Sequence, residues 1–347
     1  MTGSFGSTRM EGRKLQLAGG STYLISLPKR WVQSAGLKPG DTLFLEIEGD
    51  GSVSVRHRPE EKSPVRRKVF EERGEESREH LLRKLIGAYI SGFSLIEVRF
   101  PPDRGPFIRR VARDFCRQVI GPEVIEEGRS LIVIQDLSDT SELSSEKCLR
   151  RMHLIVRTML EDAVQALKES DASRAHDVTQ RDQDVDRLYW MVAKQYHLAQ
   201  AYPLATGGNG HSRAIHGHRL VAKLLERIGD HAERIAGTVA QFEGGRSLDV
   251  RLAQAFEEAN ASALKILDQA FNALVTEDID LANQTIDARE HHQKLIDALS
   301  HRVSTRKGEE LLALGIVVDS LGRVASYAAD IAEQAINLSV SNHPAPS

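Results

Sequence analysis

A helical pattern constrains the fold most strongly, because it runs from about residue 144 to 338 with only short interruptions. Apolar residues recur at every third or fourth position, as in amphipathic helices. The pattern predicts six long helices, at about 144–169, 172–200, 212–242, 248–276, 278–305 and 308–339. Since consecutive helices with short connections pack antiparallel, the run predicts one or two helical bundles.

The helical run contains an internal repeat. Residues 166–192, ALKESDASRAHDVTQRDQDVDRLYWMV, resemble residues 273–299, ALVTEDIDLANQTIDAREHHQKLIDAL. LERIGDHAERIA at 225–236 aligns with VDSLGRVASYAA at 318–329. Each copy spans three helices, so the sequence predicts two three-helix bundles, at 144–243 and 247–340.

The first copy carries two pairs of carboxylates. Asp182 and Asp186 lie four residues apart on one predicted helix, and Glu226 and Asp230 lie four apart on the next. Like charges at this spacing destabilise an isolated helix by about 0.2–0.5 kcal/mol, which a neighbouring cation or a bound metal would offset. Carboxylates from two helices suit a hard or redox-active cation such as Fe, Mn, Mg or Ca rather than structural zinc.

Ordinary salt bridging is the alternative for these acids. Asp230 has Arg234 four residues away, and Asp182 has Arg181 beside it or a cation on another helix. The sequence alone leaves this alternative open. A close approach of the two helices is nevertheless expected at Gly229, since glycine costs roughly 1 kcal/mol against alanine inside a helix.

The second copy replaces the second acid of each pair with a base. The positions that correspond to the first pair are Glu290 and Lys294, and those that correspond to the second pair are Asp319 and Arg323. An acid followed by a base four residues later is a favourable helical pair. The sequence therefore predicts one metal site, in the first repeat only, and an internally neutralised second repeat.

The part before the helices divides into three segments. Residues 9–58 show short strands, a helix that starts at Pro28 and a GDG hairpin turn at 49–51. Such a short unit rarely buries enough surface alone, so we expect it to complete its core against a second copy. Residues 59–75 are expected to be a charged linker, and 76–140 a small α+β module. The chain is thus predicted to be multidomain and mainly α.

Charge is distributed unevenly along the chain. Residues 1–58 carry 8 lysines and arginines against 5 acids, whereas residues 141–347 carry 23 against 29. A basic end and an acidic end favour different partners for different domains. The two cysteines, Cys116 and Cys148, make a disulfide framework unexpected and favour a reducing, cytoplasmic compartment. We expect no membrane insertion, because no apolar run approaches the roughly 18 residues that a membrane helix needs.

The helical part resembles the PhoU family of phosphate-uptake regulators, on the strength of ERIGDHAERIA and the pairs Asp182/Asp186 and Glu226/Asp230. The resemblance implies two three-helix bundles that carry multinuclear metal clusters, often of iron. It also implies a role in restraining phosphate transport when phosphate is plentiful. The partners implied are phosphate ABC transporter components or a phosphate-signalling protein. Lys294 and Arg323 depart from the family pattern and put a second cluster in doubt.

Residues 9–58 resemble the AbrB/SpoVT swapped-hairpin domain, through STYLISLPKRW and GLKPGDTLFLEI. Such domains form homodimers by interleaving strands and bind DNA through a basic face. On this resemblance Arg13, Lys14, Lys29 and Arg30 would contact DNA phosphates, which makes binding fall with salt. An ordinary solvated surface is the alternative for a small excess of positive charge.

The two resemblances imply a cytoplasmic, phosphate-responsive regulator of phosphate uptake that binds DNA through its N-terminal dimer and metal through its first helical repeat. No arrangement of nucleophile, base and orienting residue is evident, so an enzyme is not expected. One alternative is a dimeric scaffold without DNA affinity, whose helical bundles dock a transport or signalling protein. A redox-active iron bundle is a third hypothesis, which the lack of a buried Glu-x-x-His pair disfavours.

Overall fold

A computed structural model of the 347-residue chain describes residues 12–20, 22–47, 53–56, 66–74, 76–138, 143–201, 208–242 and 248–342. The chain divides into two compact units, Met1–Pro64 and Val65–Ser347. The first unit is small and mainly β. The second contains a four-stranded sheet with its helices and all six long helices.

The first unit consists of two hairpins and a short helix. Strands β1 (Gln16–Ala18) and β2 (Thr22–Leu24) pair antiparallel, as do β3 (Phe44–Ile47) and β4 (Val53–Arg56). Helix α1 (Lys29–Ser34) follows Pro28. Gly36, at φ +69°, closes it in the left-handed conformation that glycine adopts without strain. The hairpin turn predicted at 49–51 lies outside the described residues.

A four-stranded sheet opens the second unit. Its strands are β5 (Arg67–Glu71), β6 (Leu95–Arg99), β7 (Pro122–Glu127) and β8 (Leu131–Asp136), in the order β5-β6-β8-β7. Strands β5 and β6 are parallel, and the other pairs are antiparallel. Helix α2 (Arg78–Ile90) connects β5 to β6, and α3 (Gly105–Gln118) connects β6 to β7. Their apolar side chains form one core with the sheet.

The predicted linker at 59–75 is wrong over its second half. Residues Arg67–Glu71 form the edge strand β5, paired with β6 residue for residue from Leu95 to Arg99. Charged residues such as Arg67 and Lys68 made the segment resemble a linker, because an edge strand keeps much of its surface in water. The α+β module therefore begins before residue 76.

Six helices complete the unit: α4 (Ser145–Glu169), α5 (Ala172–Ala201), α6 (Gly208–Gly237), α7 (Val250–Thr276), α8 (Ile279–Val303) and α9 (Gly308–Asn342). Helices α4 to α6 pack as one bundle and α7 to α9 as a second, with one continuous apolar core. The prediction of two three-helix bundles is confirmed. The first helix of each bundle ends at a left-handed residue, Ser170 or Glu277, whose amide donates to the carbonyl of Ala166 or Ala273.

The α+β module is joined to the first bundle by a buried ion pair. Lys194 of α5 is 4% exposed and pairs with Asp136 at the end of β8. Its Nζ also donates to Ser138 Oγ at 2.8 Å and lies 4.9 Å from the centroid of the Tyr89 ring. The Tyr89 hydroxyl donates to the carbonyl of Ile120 at 3.0 Å. The module is therefore fixed to the same helix that carries Asp182 and Asp186.

Helix α9 contradicts one expectation about composition. It contains an 18-residue stretch of mean hydropathy 1.4, so length and composition would allow it to cross a membrane. Half of this stretch is buried within the fold, where α9 packs against α6, α7 and α8. The central helix of a bundle needs an apolar surface on several sides, so its composition is weak evidence for a membrane span.

Candidate metal centre

The two predicted carboxylate pairs face each other across the contact between α5 and α6. Asp182 and Asp186 come from α5, and Glu226 and Asp230 come from α6. The charges of Asp186, Glu226 and Asp230 all oppose ionisation of Asp182, and Glu226 opposes ionisation of both Asp186 and Asp230. Glu233, one turn beyond Asp230, contributes to the same negative field. The structure thus brings together all four predicted residues and adds Glu233 to them.

Close packing of the helices buries one carboxylate oxygen of Asp182. The Cβ that an alanine at Gly229 would carry lies only 3.0 Å from Asp182 Oδ1. This oxygen is buried and accepts no hydrogen bond from the described part of the chain. Gly229 therefore permits the close helix approach expected from the sequence. This approach excludes water from Asp182 Oδ1, and no donor among the described residues takes the place of the lost water hydrogen bond.

Burial and mutual repulsion both oppose ionisation in this cluster. Burial, followed by the charges of the neighbouring acids, raises the pKa of Asp182 to about 7. Burial together with Glu226 and Asp230 raises the pKa of Asp186 to about 6, although Lys223 acts in the opposite direction. The pKa of Asp230 is also raised, chiefly by burial. The cluster therefore holds protons near neutral pH that ordinary aspartates have lost.

The alternative of ordinary salt bridging fails for the two aspartates for which a partner was named. Arg181 pairs with Asp162 and with Asp177 at 2.9 Å, not with Asp182. Arg234 lies 3.9 Å from Asp319 of the second repeat, not beside Asp230. Among the described residues, Asp182, Asp186 and Asp230 form no ion pair within 4.0 Å.

Glu226 has a counter-charge in the structure, contrary to the expectation that the first repeat supplies none. Lys223 Nζ lies 2.5 Å from one carboxylate oxygen of Glu226 and 2.6 Å from the other. Glu226 is 8% exposed, and the Lys223 side chain is 40% exposed. The first repeat thus supplies one cation for its acids. Lys223 lies three residues before Glu226, a helical spacing at which side chains also meet and which the pairs four residues apart do not include.

The second repeat forms both of its predicted internal pairs. Lys294 Nζ lies 2.9 Å from Glu290, and Arg323 Nε lies 3.7 Å from Asp319. All four side chains are at least half exposed. Counted along the two aligned segments, Asp182 and Asp186 fall opposite Arg289 and Gln293, so Glu290 and Lys294 lie one residue beyond the equivalent positions. The repeats still differ in their contacts: one copy pairs its charges on its surface, and the other gathers partly buried acids around one lysine.

The donor chemistry of the cluster fits a hard cation, since every candidate ligand is a carboxylate and one buried oxygen has no partner. The side chains are not yet arranged as a closed site. Within the described ranges, no group of three or more His, Cys, Asp or Glu side chains is placed so that it could hold a metal ion as it stands. Side-chain rotation would be needed to bring the oxygens of α5 and α6 onto one ion.

The cations predicted to contact DNA lie in two places of the first unit. Arg13 and Lys14 precede β1, and Lys29 and Arg30 form the first turn of α1. All four side chains are exposed. Their exposure is compatible with a phosphate-binding surface and equally with the solvated surface that the sequence left as the alternative.

Comparison with known families matches both parts of the chain. Residues 149–239 match the PhoU domain, and residues 16–63 match the family described as antidote-toxin recognition MazE, bacterial antitoxin. The first match covers α4 to α6 and so includes the acidic cluster. The second match covers both hairpins of the first unit.

Among curated relatives, the chain is 35% identical over 119 residues to a phosphate-specific transport system accessory protein PhoU homolog of Caulobacter vibrioides, covering 33% of this chain and 47% of the relative. It is 25% identical over 195 residues to PhoU homolog 1 of Thermotoga maritima, covering 54% of this chain and 82% of the relative. The chain therefore spans about half the length of the Caulobacter relative.

Two solved structures share the helical fold. The crystal structure of PhoU from Pseudomonas aeruginosa superposes with a TM-score of 0.52 at 23% identity, over 59% of this chain and 99% of that chain. A phosphate transport system regulatory protein PhoU from Streptococcus pneumoniae superposes with a TM-score of 0.50 at 20% identity, over 57% of this chain and 94% of that chain. The chain therefore contains a PhoU domain, joined to a MazE/AbrB-like domain in its N-terminal part.

Proposed function

We propose that this protein is a cytoplasmic, phosphate-responsive regulator of phosphate uptake. It binds DNA through a dimer of its N-terminal unit and metal through its first helical repeat. The relatives are named as accessory proteins of a phosphate-specific transport system, which supports a regulatory rather than an enzymatic role. Components of such a transporter, or a phosphate-signalling protein, are the partners that the same names support.

The acidic cluster carries the metal part of the proposal. Asp182 has a buried oxygen without a hydrogen-bond partner, and its neighbours Asp186 and Asp230 have no ion pair among the described residues. A bound cation would relieve the mutual repulsion and use the unpaired oxygen. Asp182, Asp186, Glu226 and Asp230 are the residues that would hold it. Iron is one metal that this oxygen-rich donor set accepts.

Metal would connect the cluster to phosphate. A cation held by carboxylates near a surface retains open coordination positions, and phosphate oxygens bind such positions readily. The cluster lies at the edge of the helix contact, where Asp186 and Asp230 are only partly buried. The metal supplies the positive charge that the acids themselves lack, so phosphate binding at this site depends on metal binding.

The DNA part of the proposal depends on the N-terminal unit. Two pairs of exposed cations, Arg13 with Lys14 and Lys29 with Arg30, supply charge for phosphate contacts. Such contacts release counterions, so affinity falls steeply with salt. The match to an antitoxin family supports a small dimeric domain of this type.

Metal analysis tests the helical part. The double variant Asp182→Ala/Glu226→Ala should lose most of the metal that copurifies with the wild-type chain, measured by elemental analysis with and without phosphate. Glu290→Ala/Asp319→Ala removes one acid from each internal ion pair of the second repeat and serves as the control, with metal content unchanged. Equal metal content in the wild type and both variants would refute the site.

Binding of mixed-sequence duplex DNA tests the N-terminal part. Lys29→Ala/Arg30→Ala should weaken a salt-dependent mobility shift and reduce its salt slope by about two, since each lost phosphate contact removes roughly one counterion. Lys265→Ala/Lys307→Ala removes two exposed lysines from the helical half and should leave the shift unchanged.

A second candidate is the scaffold without DNA affinity. The description of the matched family refers to recognition of a toxin, which is a protein partner, and this favours protein docking by the N-terminal unit. The same mobility shift separates the two functions. No salt-dependent shift in the wild-type chain, despite an intact dimer, would support the scaffold instead.

A further inference from the structure

Helix α3 of the α+β module presents a row of arginines that the proposed metal and DNA sites do not use. Arg109, Arg110, Arg113 and Arg117 line one cavity of about 460 Å³, together with Pro106 and Asp114. The opposite face of the helix is buried in the module core through Ile108, Val111, Ala112 and Phe115. The arginines therefore belong to the solvent face of a helix whose position is fixed by packing.

The spacing of these arginines destabilises helix α3. Arg109 and Arg113 are four residues apart, as are Arg113 and Arg117, and Arg110 is three from Arg113. Like charges at these spacings each destabilise a helix by about 0.2–0.5 kcal/mol. The only acid on the helix, Asp114, is already held by Arg78 of α2 through bonds of 2.9 and 3.1 Å. Helix α3 itself thus offers the row no unpaired acid.

Two of the four guanidinium groups are held in place and two are not. Arg113 donates to Glu127 of β7 at 3.1 Å, and Arg109 donates to the carbonyl of Gly128 at 3.4 Å. Arg110 and Arg117 are exposed and make no hydrogen bond or ion pair with the residues that the structure describes. The cavity therefore has a fixed side, at Arg109 and Arg113, and two arginines that are available to a ligand.

The chemistry of the cavity favours phosphate groups. A guanidinium presents planar, paired N–H donors that match phosphate oxygens, and it stays charged at any physiological pH. The volume falls within the range of small-molecule sites and exceeds what one orthophosphate fills. Glu127 of β7 contacts the row through Arg113, and its negative charge would oppose a long polyanion that ran past this side.

We propose that the arginine cavity on α3 binds a small anion with two or more phosphate groups. This inference deepens the proposed phosphate-responsive function and rests on it for its biological meaning. The site itself is independent of the metal centre, because it lies in the module and uses guanidinium groups instead of carboxylates. Free condensed phosphate and the phosphate chain of a nucleotide share this chemistry.

Calorimetric titration of the full-length chain with pyrophosphate and, separately, with orthophosphate and ADP tests the proposal. Pyrophosphate should bind saturably and more tightly than orthophosphate, and the ADP titration distinguishes a nucleotide from a free condensed phosphate. Arg110→Gln/Arg117→Gln should weaken pyrophosphate binding by about tenfold or more, because charge-assisted hydrogen bonds are lost. Both positions are exposed, so the melting temperature should remain near that of the wild type.

Two control variants separate the possible failures. Lys265→Gln/Lys307→Gln removes the same charge from exposed lysines outside the module and should bind pyrophosphate like the wild type. Asp182→Asn/Asp186→Asn should also retain pyrophosphate binding, even where it abolishes metal binding. If Asp182→Asn/Asp186→Asn loses pyrophosphate binding, the anion binds at the metal centre. That result would overturn the inference about α3 and would support the proposed function.

Other results would also overturn the proposal. Unchanged pyrophosphate affinity in the arginine variant, or no saturable binding in the wild type, would remove the anion site without affecting the metal result. If pyrophosphate fails to bind but duplex DNA binding weakens in Arg110→Gln/Arg117→Gln, the row is part of a nucleic-acid surface instead.

Discussion

At the scale of single residues, Asp182 is the side chain whose state depends most on its surroundings. Its Oδ1 is buried without a hydrogen bond, and four other acids raise the cost of ionising it further. An isolated buried carboxylate is expensive unless a partner compensates, so the group stays protonated instead. A cation at this site would reverse the preference and displace the proton.

The pH dependence of stability follows from the raised pKa of Asp182, about 7 against the ordinary 3.8. Between these values the folded chain binds the proton and the unfolded chain does not, so stability without metal falls as pH rises through this window. We expect Asp182→Asn to stabilise the chelator-treated protein at about pH 8, on the order of 1 kcal/mol, and to have little effect near pH 4.

Thermal unfolding monitored by circular dichroism at both pH values provides the measurement. Asp319→Asn is the control, because Asp319 already contacts Arg323 and should gain nothing at high pH. If Asp182→Asn and the wild type have the same melting temperature at both pH values, ionisation of Asp182 does not destabilise the folded state, which would contradict the prediction.

At the scale of elements, the contact between α5 and α6 differs from its counterpart in the second repeat. A methyl group at Gly229 would lie 3.0 Å from Asp182 Oδ1 and 3.5 Å from Val185 Cγ1. At the aligned Gly322, the nearest atom would be Ile296 Cγ2, at an ordinary 3.6 Å. Only in the first repeat, therefore, does the glycine allow a carboxylate of the preceding helix to lie against the helix backbone.

A pair of alanine variants tests this difference. Gly322→Ala should raise the free energy of unfolding by about 1 kcal/mol, because alanine has the higher helix propensity and the new methyl group fits. Gly229→Ala should gain less, since Asp182 must move, and should also weaken metal binding. Denaturant unfolding and elemental analysis give the two readouts. Equal gains in stability with unchanged metal content would contradict the proposed role of the close approach.

At the scale of the whole molecule, the two units differ in how completely they bury their apolar residues. Between residues 12 and 56, none of the residues whose exposure the structure describes is buried, whereas the second unit has one core for the bundles and another for the module. Leu17 pairs with Tyr23 across β1 and β2, and their exposed fractions are 60% and 67%. On β3, Leu45 and Ile47 are 71% and 80% exposed. These values favour a second copy that completes the N-terminal core.

Disruption of this apolar surface should dissociate the protein. Ile47→Asp places a charge on the strand face shared with Leu45 and Val53, and should convert a dimer to a monomer in sedimentation or light-scattering measurements. Leu312→Asp replaces an equally exposed apolar residue of α9 and should leave the mass unchanged. A wild-type chain that is monomeric at all concentrations, or an Ile47→Asp variant that stays dimeric, would contradict the dimer.

The sequence by itself determined the helices, the duplication and the charge asymmetry between Glu226/Asp230 and the aligned pair Asp319/Arg323. These features are local, because helix periodicity and charges four residues apart depend on the chain within one or two turns. Only the tertiary structure decided that Arg67–Glu71 is a strand, since a charged edge strand is defined by the partner that it pairs with. It also decided that Asp182 is the acid of this cluster with a buried carboxylate oxygen that accepts no hydrogen bond from the described residues. Its burial comes from the approach of a different helix, and no local pattern records that approach.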